Sequence, residues 1–237
     1  MPLLHGQRIN SGYGKLHILF DIDFSVKRDE ILVIVGPNGS GKSTLLKTVF
    51  GLTTLYDGRI LFDGEDITRL KPHERAKRGL AYLPQVSNTF ETLTVRENLM
   101  MAAYTLDEDE AEAKVREVLD FLPRVREKLD QRVYNLSGGE RQMVAMAMAI
   151  MREPKLIMLD EPTAALAPKI ASEVLKKIVE LKEVLGMSVV LVEQNAKRAL
   201  EIGDRALLLV AGQKVFEGGA DELLNSPDLA SMYLGIS

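Results

Sequence analysis

The segment from Gly36 to Ser43 has the sequence Gly-Pro-Asn-Gly-Ser-Gly-Lys-Ser, a spacing that is typical of phosphate-binding loops. Glycines allow the backbone N–H groups of such a loop to close around phosphate oxygens. Lys42 would reach the β- and γ-phosphates of a nucleotide, and the Ser43 hydroxyl would hold its Mg²⁺ ion. A glycine-rich turn is the alternative, but this loop lies between a buried apolar run and a helical pattern, which favours phosphate binding. The residues predicted to bind ATP here are Gly36, Asn38, Gly39, Gly41, Lys42, Ser43 and Thr44.

Two acidic residues, Asp160 and Glu161, directly follow a buried apolar run and precede Pro162. Open α/β sheets bind their ligands at the carboxyl ends of the strands, where these two acids would lie. Asp160 can reach Mg²⁺ through a water molecule, and Glu161 can polarise the water that attacks the γ-phosphate. An ordinary loop before a helix could carry the same two acids. The phosphate-binding loop upstream favours the catalytic interpretation.

The elements that must position these residues alternate between strands and helices. Near-continuous apolar runs at 31–35, 156–159 and 189–192 predict buried strands, and residues 170–185 predict a helix between two of them. This alternation indicates an α/β fold whose main sheet is mostly parallel, with right-handed crossovers. The fold class predicted is therefore that of a P-loop NTPase core.

The remaining segments predict two additions to this core. Strand patterns at 3–10, 16–26 and 59–62 are separated by Gly and Asp turns and indicate an N-terminal antiparallel β layer. Residues 94–130 are helical and rich in charge, most clearly the amphipathic stretch at 107–122, and indicate an inserted helical subdomain. Near the end, the segments 206–210 and 213–216 flank Ala211-Gly212 and predict a hairpin.

Composition narrows the classes of function. The chain has 237 residues, 46% of them hydrophobic and 27% charged, which is typical of a globular protein with a substantial core. Its formal net charge of -4 argues against a protein that coats nucleic acid. The absence of cysteine excludes disulfides and thiolate metal sites. No secretory signal is expected at the N-terminus, and the longest apolar run, Met143–Met151, is too short to span a bilayer, so a membrane role would need a spanning partner.

A third motif, Leu136-Ser-Gly-Gly-Glu140, resembles the Leu-Ser-Gly-Gly-Gln signature of ABC (ATP-binding cassette) ATPases. With the two motifs above, the resemblance spans nearly the whole chain. Ser137, Gly138 and Gly139 precede an apolar helix and offer N–H groups and a hydroxyl to an anion, although a capped helix start would use the same residues. The resemblance implies that this segment grips the γ-phosphate held by a second subunit, so that ATP joins a head-to-tail dimer.

The resemblance assigns three further positions. Tyr13 is similar to the aromatic residue that stacks on adenine; the alternative is a half-buried tyrosine of the sheet. Gln85 is similar to the glutamine that contacts Mg²⁺ and the attacking water, in a loop that faces the membrane subunit; the alternative is a solvated amide. Gln194 takes the position of the histidine that the family usually has, and its amide can still donate to a phosphate oxygen. The predicted catalytic set is Glu161, Gln194 and Gln85, and the predicted metal set is Ser43, Gln85 and Asp160.

Two departures from the family pattern change what is implied. The chain's histidines are His5, His17 and His73, and none can occupy the usual switch position. The segment Ala164-Ala-Leu-Ala-Pro168 lacks the aspartate that the family places at the dimer interface. Both changes alter the usual hydrogen-bond route between the two nucleotide sites, and imply slow hydrolysis or an unequal pair of sites.

Three short motifs, Leu166-Ala-Pro168, Val192-Glu-Gln-Asn195 and Tyr233-Leu-Gly235, resemble one branch of the family, the F-type ATPase of branched-chain (hydrophobic) amino-acid importers. That resemblance implies a peripheral ATPase at the cytoplasmic face of the membrane, with two transmembrane permease subunits, a second ABC ATPase and, indirectly, an extracytoplasmic amino-acid-binding protein. No nucleic acid is expected. Two alternatives stay open: a soluble ABC ATPase that acts on nucleic acid or ribosomes, and a weakly hydrolysing regulator. Residues 1–237 are predicted to form one ABC ATPase domain that includes a helical signature subdomain at about 90–152.

Overall fold

A computed structural model describes residues 1–86 and 88–226. The Tyr233-Leu-Gly235 motif lies outside the described residues. A six-stranded sheet carries the candidate site, in the order β10-β9-β3-β8-β7-β6. Its strands are β3 (Ile31–Val35), β6 (Leu80–Leu83), β7 (Leu156–Asp160), β8 (Ser188–Val192), β9 (Arg205–Val210) and β10 (Gln213–Gly219).

Five neighbouring strands of this sheet are parallel, and β10 pairs with β9 in the antiparallel direction. Every residue of β3, β7 and β8 is buried, because helices or a second sheet cover both faces and the apolar runs can face either way. The prediction of a mostly parallel α/β sheet is confirmed. The hairpin between β9 and β10 is confirmed as well, with Ala211 and Gly212 both at positive φ, as a two-residue turn of type I′ requires.

A separate four-stranded antiparallel sheet has the order β2-β1-β4-β5, which confirms the predicted β layer. Its strands are β1 (Leu4–Tyr13), β2 (Leu16–Val26), β4 (Thr54–Phe62) and β5 (Glu65–Asp66). Strand β4 begins at Thr54 rather than at residue 59, because a register shift in its pairing with β1 lets the strand pass through Gly58. Gly58 has φ of 104°, and a Cβ there would lie 2.3 Å from the Arg8 carbonyl oxygen.

Nine helices connect the strands within the described part of the chain. They are α1 (Lys42–Phe50), α2 (Pro72–Lys77), α3 (Val95–Ala102), α4 (Glu108–Phe121), α5 (Pro123–Arg126), α6 (Gly138–Ile150), α7 (Pro168–Glu183), α8 (Ala196–Leu200) and α9 (Ala220–Leu224). Helix α4 begins directly after Asp107, whose carboxylate accepts a hydrogen bond from the Glu110 N–H group at 2.9 Å. Helix α7 begins at Pro168, two residues before the predicted start, because proline suits the first turn of a helix.

The two faces of the main sheet bury different partners. Alternate residues of β3 divide between them: Ile31, Val33 and Val35 pack with the helices α3, α4, α6 and α7, whereas Leu32 and Ile34 pack with α1 and the antiparallel sheet. The sheet is therefore sandwiched, and α1 is held against one face with its first turn at the carboxyl ends of the strands. No helix in the described ranges combines the length and the apolar character that crossing a bilayer requires.

Candidate nucleotide-binding site

Three parallel strands end at one edge of the main sheet and bring the predicted residues together. Strand β3 leads into the loop that starts at Gly36, β7 ends at Asp160, and Val192 at the end of β8 pairs with Asp160 in register. A cleft of about 420 Å³ opens at this edge. It is lined by Ile18, Asn38, Gly39, Ser40, Gly41, Lys42, Ser43, Thr44, Glu161 and Gln194.

The loop from Gly36 to Gly41 has a backbone shape that needs glycine. Gly36 has φ of 147°, and a Cβ there would lie 2.0 Å from the Leu209 carbonyl oxygen. Gly41 precedes α1 with φ of 99°, and a Cβ there would lie 2.6 Å from Leu19 Cδ2. Among the described residues, no side chain caps the start of α1, so its first N–H groups are free to bind an anion.

Lys42 is folded back on this loop. Its ammonium donates to the carbonyl oxygens of Gly36 at 2.9 Å and Pro37 at 3.0 Å, and the residue is only 5% exposed. Burial lowers the pKa of Lys42, while the nearby Glu161 and Asp160 carboxylates act in the opposite direction. A buried cation that donates to two neutral carbonyl groups is well suited to receive an anion, because phosphate oxygens would make stronger, charge-assisted hydrogen bonds.

Ser43 and Asp160 form a pair of oxygen donors beside the loop. The Ser43 hydroxyl donates to Asp160 Oδ1 at 2.7 Å, and Asp160 is 4% exposed. A carboxylate and a hydroxyl at the mouth of a phosphate-binding loop fit Mg²⁺, which prefers oxygen ligands and commonly shares its coordination with substrate phosphates. Both residues therefore fit the metal role predicted for them.

Glu161 lies on strained backbone next to this pair. Its φ of 49° is unusual for a residue with a side chain and costs on the order of 1 kcal/mol. The backbone is held there by the Glu161 N–H group, which donates to the Val192 carbonyl oxygen at 2.8 Å. Gln85 Nε2 donates to Glu161 Oε2 at 3.0 Å, so the loop after β6 reaches the acid predicted to activate water.

Ser137 caps the start of α6 together with Glu140. The Ser137 hydroxyl and backbone N–H group both donate to Glu140 Oε2 at 2.8 Å, and the Glu140 N–H group donates to Ser137 Oγ at 3.3 Å. Lys128 Nζ lies 3.2 Å from Glu140 Oε1. These hydrogen bonds, chiefly from the Ser137 backbone, lower the pKa of Glu140. The carboxylate is therefore ionised beside the predicted phosphate-gripping residues.

The structure brings some predicted residues together and leaves others apart. Lys42, Asp160, Glu161 and Gln85 are linked by contacts or share the cleft, and Gln194 lines it beside Glu161. As far as the structure describes the chain, Ser137, Gly138 and Gly139 do not line this cleft. Tyr13 also lies outside its lining, at the end of β1, with 42% of its surface exposed.

Two residues at the site are missing from the sequence-based prediction. Tyr82, on β6, donates its phenol to Asp160 Oδ2 at 3.0 Å. Glu193 is 3% exposed and accepts a hydrogen bond from the Thr163 N–H group at 3.0 Å, which joins the end of β8 to the loop after Glu161. Burial raises the pKa of Glu193, and the Glu161 charge adds to this effect. The sequence signal for Glu193 is an acid at the end of an apolar run, and the signal for Tyr82 is a tyrosine two residues before Pro84.

Comparison with known proteins defines the class of protein to which this chain belongs. Residues 19–164, more than half of the chain, match the ABC transporter family. A solved structure described as the ADP conformation of an ATP-binding cassette of an ABC transporter is 28% identical in sequence. It superposes with a TM-score of 0.88 and covers 98% of both chains. This chain belongs to the ABC transporter family, as its ATP-binding component.

Two curated relatives refine the comparison. The probable branched-chain amino acid transport ATP-binding protein LivF of Archaeoglobus fulgidus is 49% identical over 234 residues, which cover 99% of each chain. The lipopolysaccharide export system ATP-binding protein LptB of Haemophilus influenzae is 36% identical over 241 residues, which cover 99% of this chain and 98% of that protein. The resemblance predicted from the motifs, to branched-chain amino-acid transport ATPases, is confirmed.

Proposed function

We propose that this chain binds MgATP in the cleft and hydrolyses it, and that the hydrolysis powers an importer of branched-chain amino acids. The observation that carries the proposal is the convergence of Lys42, Asp160 and Glu161 at the carboxyl ends of β3 and β7. A cation for the phosphates, an oxygen donor for the metal and an acid for the attacking water are the three groups that such a hydrolysis needs.

Each residue has a defined task in this proposal. Lys42 and the first N–H groups of α1 bind the phosphates, while Ser43, Asp160 and Gln85 hold Mg²⁺. The bound ion would neutralise charge that develops on the phosphate oxygens. Glu161 polarises the attacking water, and Gln194 donates a hydrogen bond to the γ-phosphate. The adenine ring stacks on Tyr13, whose exposed face supports this role.

Closure of the site is assigned to a second ATPase subunit. Ser137, Gly138 and Gly139 belong to a different part of the surface from the cleft of the same chain. A second copy, or a homologous companion, placed head to tail would bring its own Ser137 segment to the γ-phosphate held by Lys42. ATP would then lie between two subunits, and its hydrolysis would release them.

The partners proposed are two transmembrane permease subunits at the cytoplasmic face of the membrane. Exposed apolar side chains after Gln85 and on α3 support this docking: Val86 is 70% exposed, and Phe90 and Met101 are also exposed. The buried Asn98 side chain joins the loop after Gln85 to α3, because it accepts from the Phe90 N–H group at 2.7 Å and donates to the Phe90 carbonyl oxygen at 3.0 Å. An extracytoplasmic amino-acid-binding protein would deliver substrate to the permeases.

The relatives support the importer more strongly than an exporter. Identity to the amino acid transport ATPase is 49%, against 36% for the lipopolysaccharide export ATPase. Export remains the second candidate because that relative also covers the chain from end to end. The two functions differ in the membrane proteins that would retain this chain.

Co-purification with candidate permeases tests the proposal. We expect the chain to co-purify with two amino-acid permease subunits, and the reconstituted complex to hydrolyse ATP faster when the amino-acid-loaded binding protein is added. Lys42→Ala and Glu161→Gln should each abolish this turnover. If both variants keep the wild-type rate, the cleft is not the active site. If turnover is normal but only lipopolysaccharide export subunits retain the chain, the importer assignment is wrong.

A further inference from the structure

The carboxylate of Asp160 is held from two sides by hydroxyl groups of different elements. Ser43, at the start of α1, donates to Oδ1 at 2.7 Å, and Tyr82, on β6, donates to Oδ2 at 3.0 Å. Asp160 is the last residue of β7, and β6 is the strand beside it at the edge of the sheet. Each oxygen therefore has a separate partner, and rotation of the carboxylate would break both hydrogen bonds.

The position of Tyr82 is fixed by packing and by the sheet. Its backbone lies opposite Met158 in the parallel pairing of β6 and β7, two residues before Asp160 on the neighbouring strand. Its ring packs against Phe50, the last residue of α1, with 5.6 Å between ring centroids. Tyr82 thus contacts both of the elements that carry Ser43 and Asp160, and a phenylalanine could fill the same space without the hydroxyl.

A tyrosine hydroxyl carries its proton at neutral pH and can donate to a carboxylate, as the Tyr82 hydroxyl does to Asp160 Oδ2. Within the described residues, the Tyr82 hydroxyl reaches the site through its hydrogen bond to Asp160 and is not itself part of the cleft lining.

We propose that Tyr82 is a positioning residue for the metal, which holds the Asp160 carboxylate in the orientation that receives nucleotide-bound Mg²⁺. The proposal rests on the proposed function, because it takes the cleft to be an MgATP site. Partners of metal-binding carboxylates orient them, and their removal typically weakens metal binding. If the Tyr82 hydroxyl were removed, Asp160 Oδ2 would lose this hydrogen-bond donor, and the carboxylate would be free to turn away from the metal.

The test compares Tyr82→Phe with the wild type and with Tyr104→Phe, a control at an exposed tyrosine. The dissociation constant for a fluorescent ADP analogue is measured with EDTA and again with saturating Mg²⁺. The constant in EDTA divided by the constant in Mg²⁺ reports the contribution of the metal. For Tyr82→Phe we expect the affinity in EDTA to be unchanged and the ratio to fall about tenfold, the lower end of the effect of losing such a partner. The Tyr104→Phe protein should keep the wild-type ratio.

Each contrary result has a distinct meaning. If Tyr82→Phe keeps the wild-type ratio, or if its affinity in EDTA falls together with its melting temperature, Tyr82 has only a packing role and the inference is overturned. If the wild type binds the analogue equally well with and without Mg²⁺, the inference is overturned as well. If the wild type binds no nucleotide under either condition, the proposed function itself fails.

Discussion

Gln85 and Glu161 are joined by a hydrogen bond of 3.0 Å from the amide nitrogen of Gln85 to Oε2 of Glu161. Glu161 follows β7, whereas Gln85 follows β6 and lies in the loop that Asn98 ties to α3. The acid that we assign to water activation is thereby connected to the segment whose exposed apolar side chains we propose as the permease contact. A displacement of this loop would change the orientation of the Glu161 carboxylate, and binding of the proposed permease to the loop would thereby affect hydrolysis.

Replacing Gln85 with alanine should lower the rate of hydrolysis much more than nucleotide affinity. The variant removes the donor that orients Glu161 and one proposed Mg²⁺ ligand but leaves the Lys42 loop intact, so we expect kcat to fall about tenfold while ATP affinity measured in EDTA changes little. Phosphate release and binding of a fluorescent ATP analogue measure the two quantities. Gln213→Ala, at an exposed position of the β9–β10 hairpin, is the control. An equal loss of rate and affinity would contradict the assigned role.

Removing the Lys42 ammonium should abolish stabilisation by ATP without harming the free protein. Burial lowers the pKa of Lys42 because the charged form loses solvation, and Lys42→Ala removes that desolvation cost. At ATP concentrations of about 100 times Kd, the wild type should gain about 2.7 kcal/mol and melt about 5–10 °C higher.

Thermal unfolding with and without MgATP measures this difference. We expect Lys42→Ala to melt at or above the wild-type temperature without nucleotide and to show no increase with it. Lys176→Ala, at an exposed position of α7, should behave as the wild type does. An increase for Lys42→Ala equal to that of the wild type would place the nucleotide elsewhere.

The buried Glu193 should make stability depend on pH. Its folded-state pKa is raised, so the folded protein holds this proton more tightly than the unfolded chain, and the contribution to stability is lost as pH rises through the folded pKa. Glu193→Gln keeps an acceptor for the Thr163 N–H group and has no proton to lose. The free energy of unfolding of Glu193→Gln relative to the wild type should therefore increase between pH 4.5, the ordinary value for glutamate, and neutral pH.

Urea unfolding at several pH values measures this increase. Glu183→Gln, at an exposed position of α7, is the control. A pH-independent difference for Glu193→Gln would mean that the buried carboxyl titrates normally.

Local motifs made most of the fold and much of the site predictable. The Lys42 loop, the Asp160-Glu161 pair and the Ser137 segment each combine a short pattern with a strand or helix boundary, and local sequence is sufficient to detect such combinations. The strands β3, β7 and β8 are similarly evident because they are continuous apolar runs. Side-chain contacts between strands were harder to predict from the sequence. β6 is a strand of only four residues, and its Tyr82 contacts Asp160 across a sequence separation of 78 residues.

The observed ends of strands differ from the predicted ones where pairing with another strand determines them. Tyr56-Asp57-Gly58 has the composition of a turn, yet β4 continues through it because β1 supplies a shifted register. Helix α2 was not predicted, because it has only six residues. Contacts outside the helix stabilise it: its Arg75 donates to the Val49 and Leu70 carbonyl oxygens. The hydrogen bond from Gln85 to Glu161 could not be predicted either, because a single sequence does not specify which acid the amide contacts.

Glu140 provides a test of the signature segment. Its carboxylate accepts the hydrogen bond of the Ser137 hydroxyl and would repel an incoming γ-phosphate. Because Glu140→Gln removes this negative charge, it should strengthen the ATP-dependent dimer about threefold or more. Sedimentation equilibrium in a Glu161→Gln background, where ATP is not hydrolysed, measures the dimer affinity. Glu183→Gln in the same background is the control. A weaker dimer would show that the Ser137–Glu140 capping interaction is needed for the grip.

Sedimentation velocity of Glu161→Gln saturated with MgATP tests the central claim most directly, since this variant should bind ATP and retain it. We predict that the protein, alone or with its companion ATPase, changes from monomer to dimer when MgATP is added, and returns to monomer with ADP. Adding Lys42→Ala should abolish the change. A protein that binds MgATP but stays monomeric, both alone and with the companion, would contradict the sharing of ATP between two subunits.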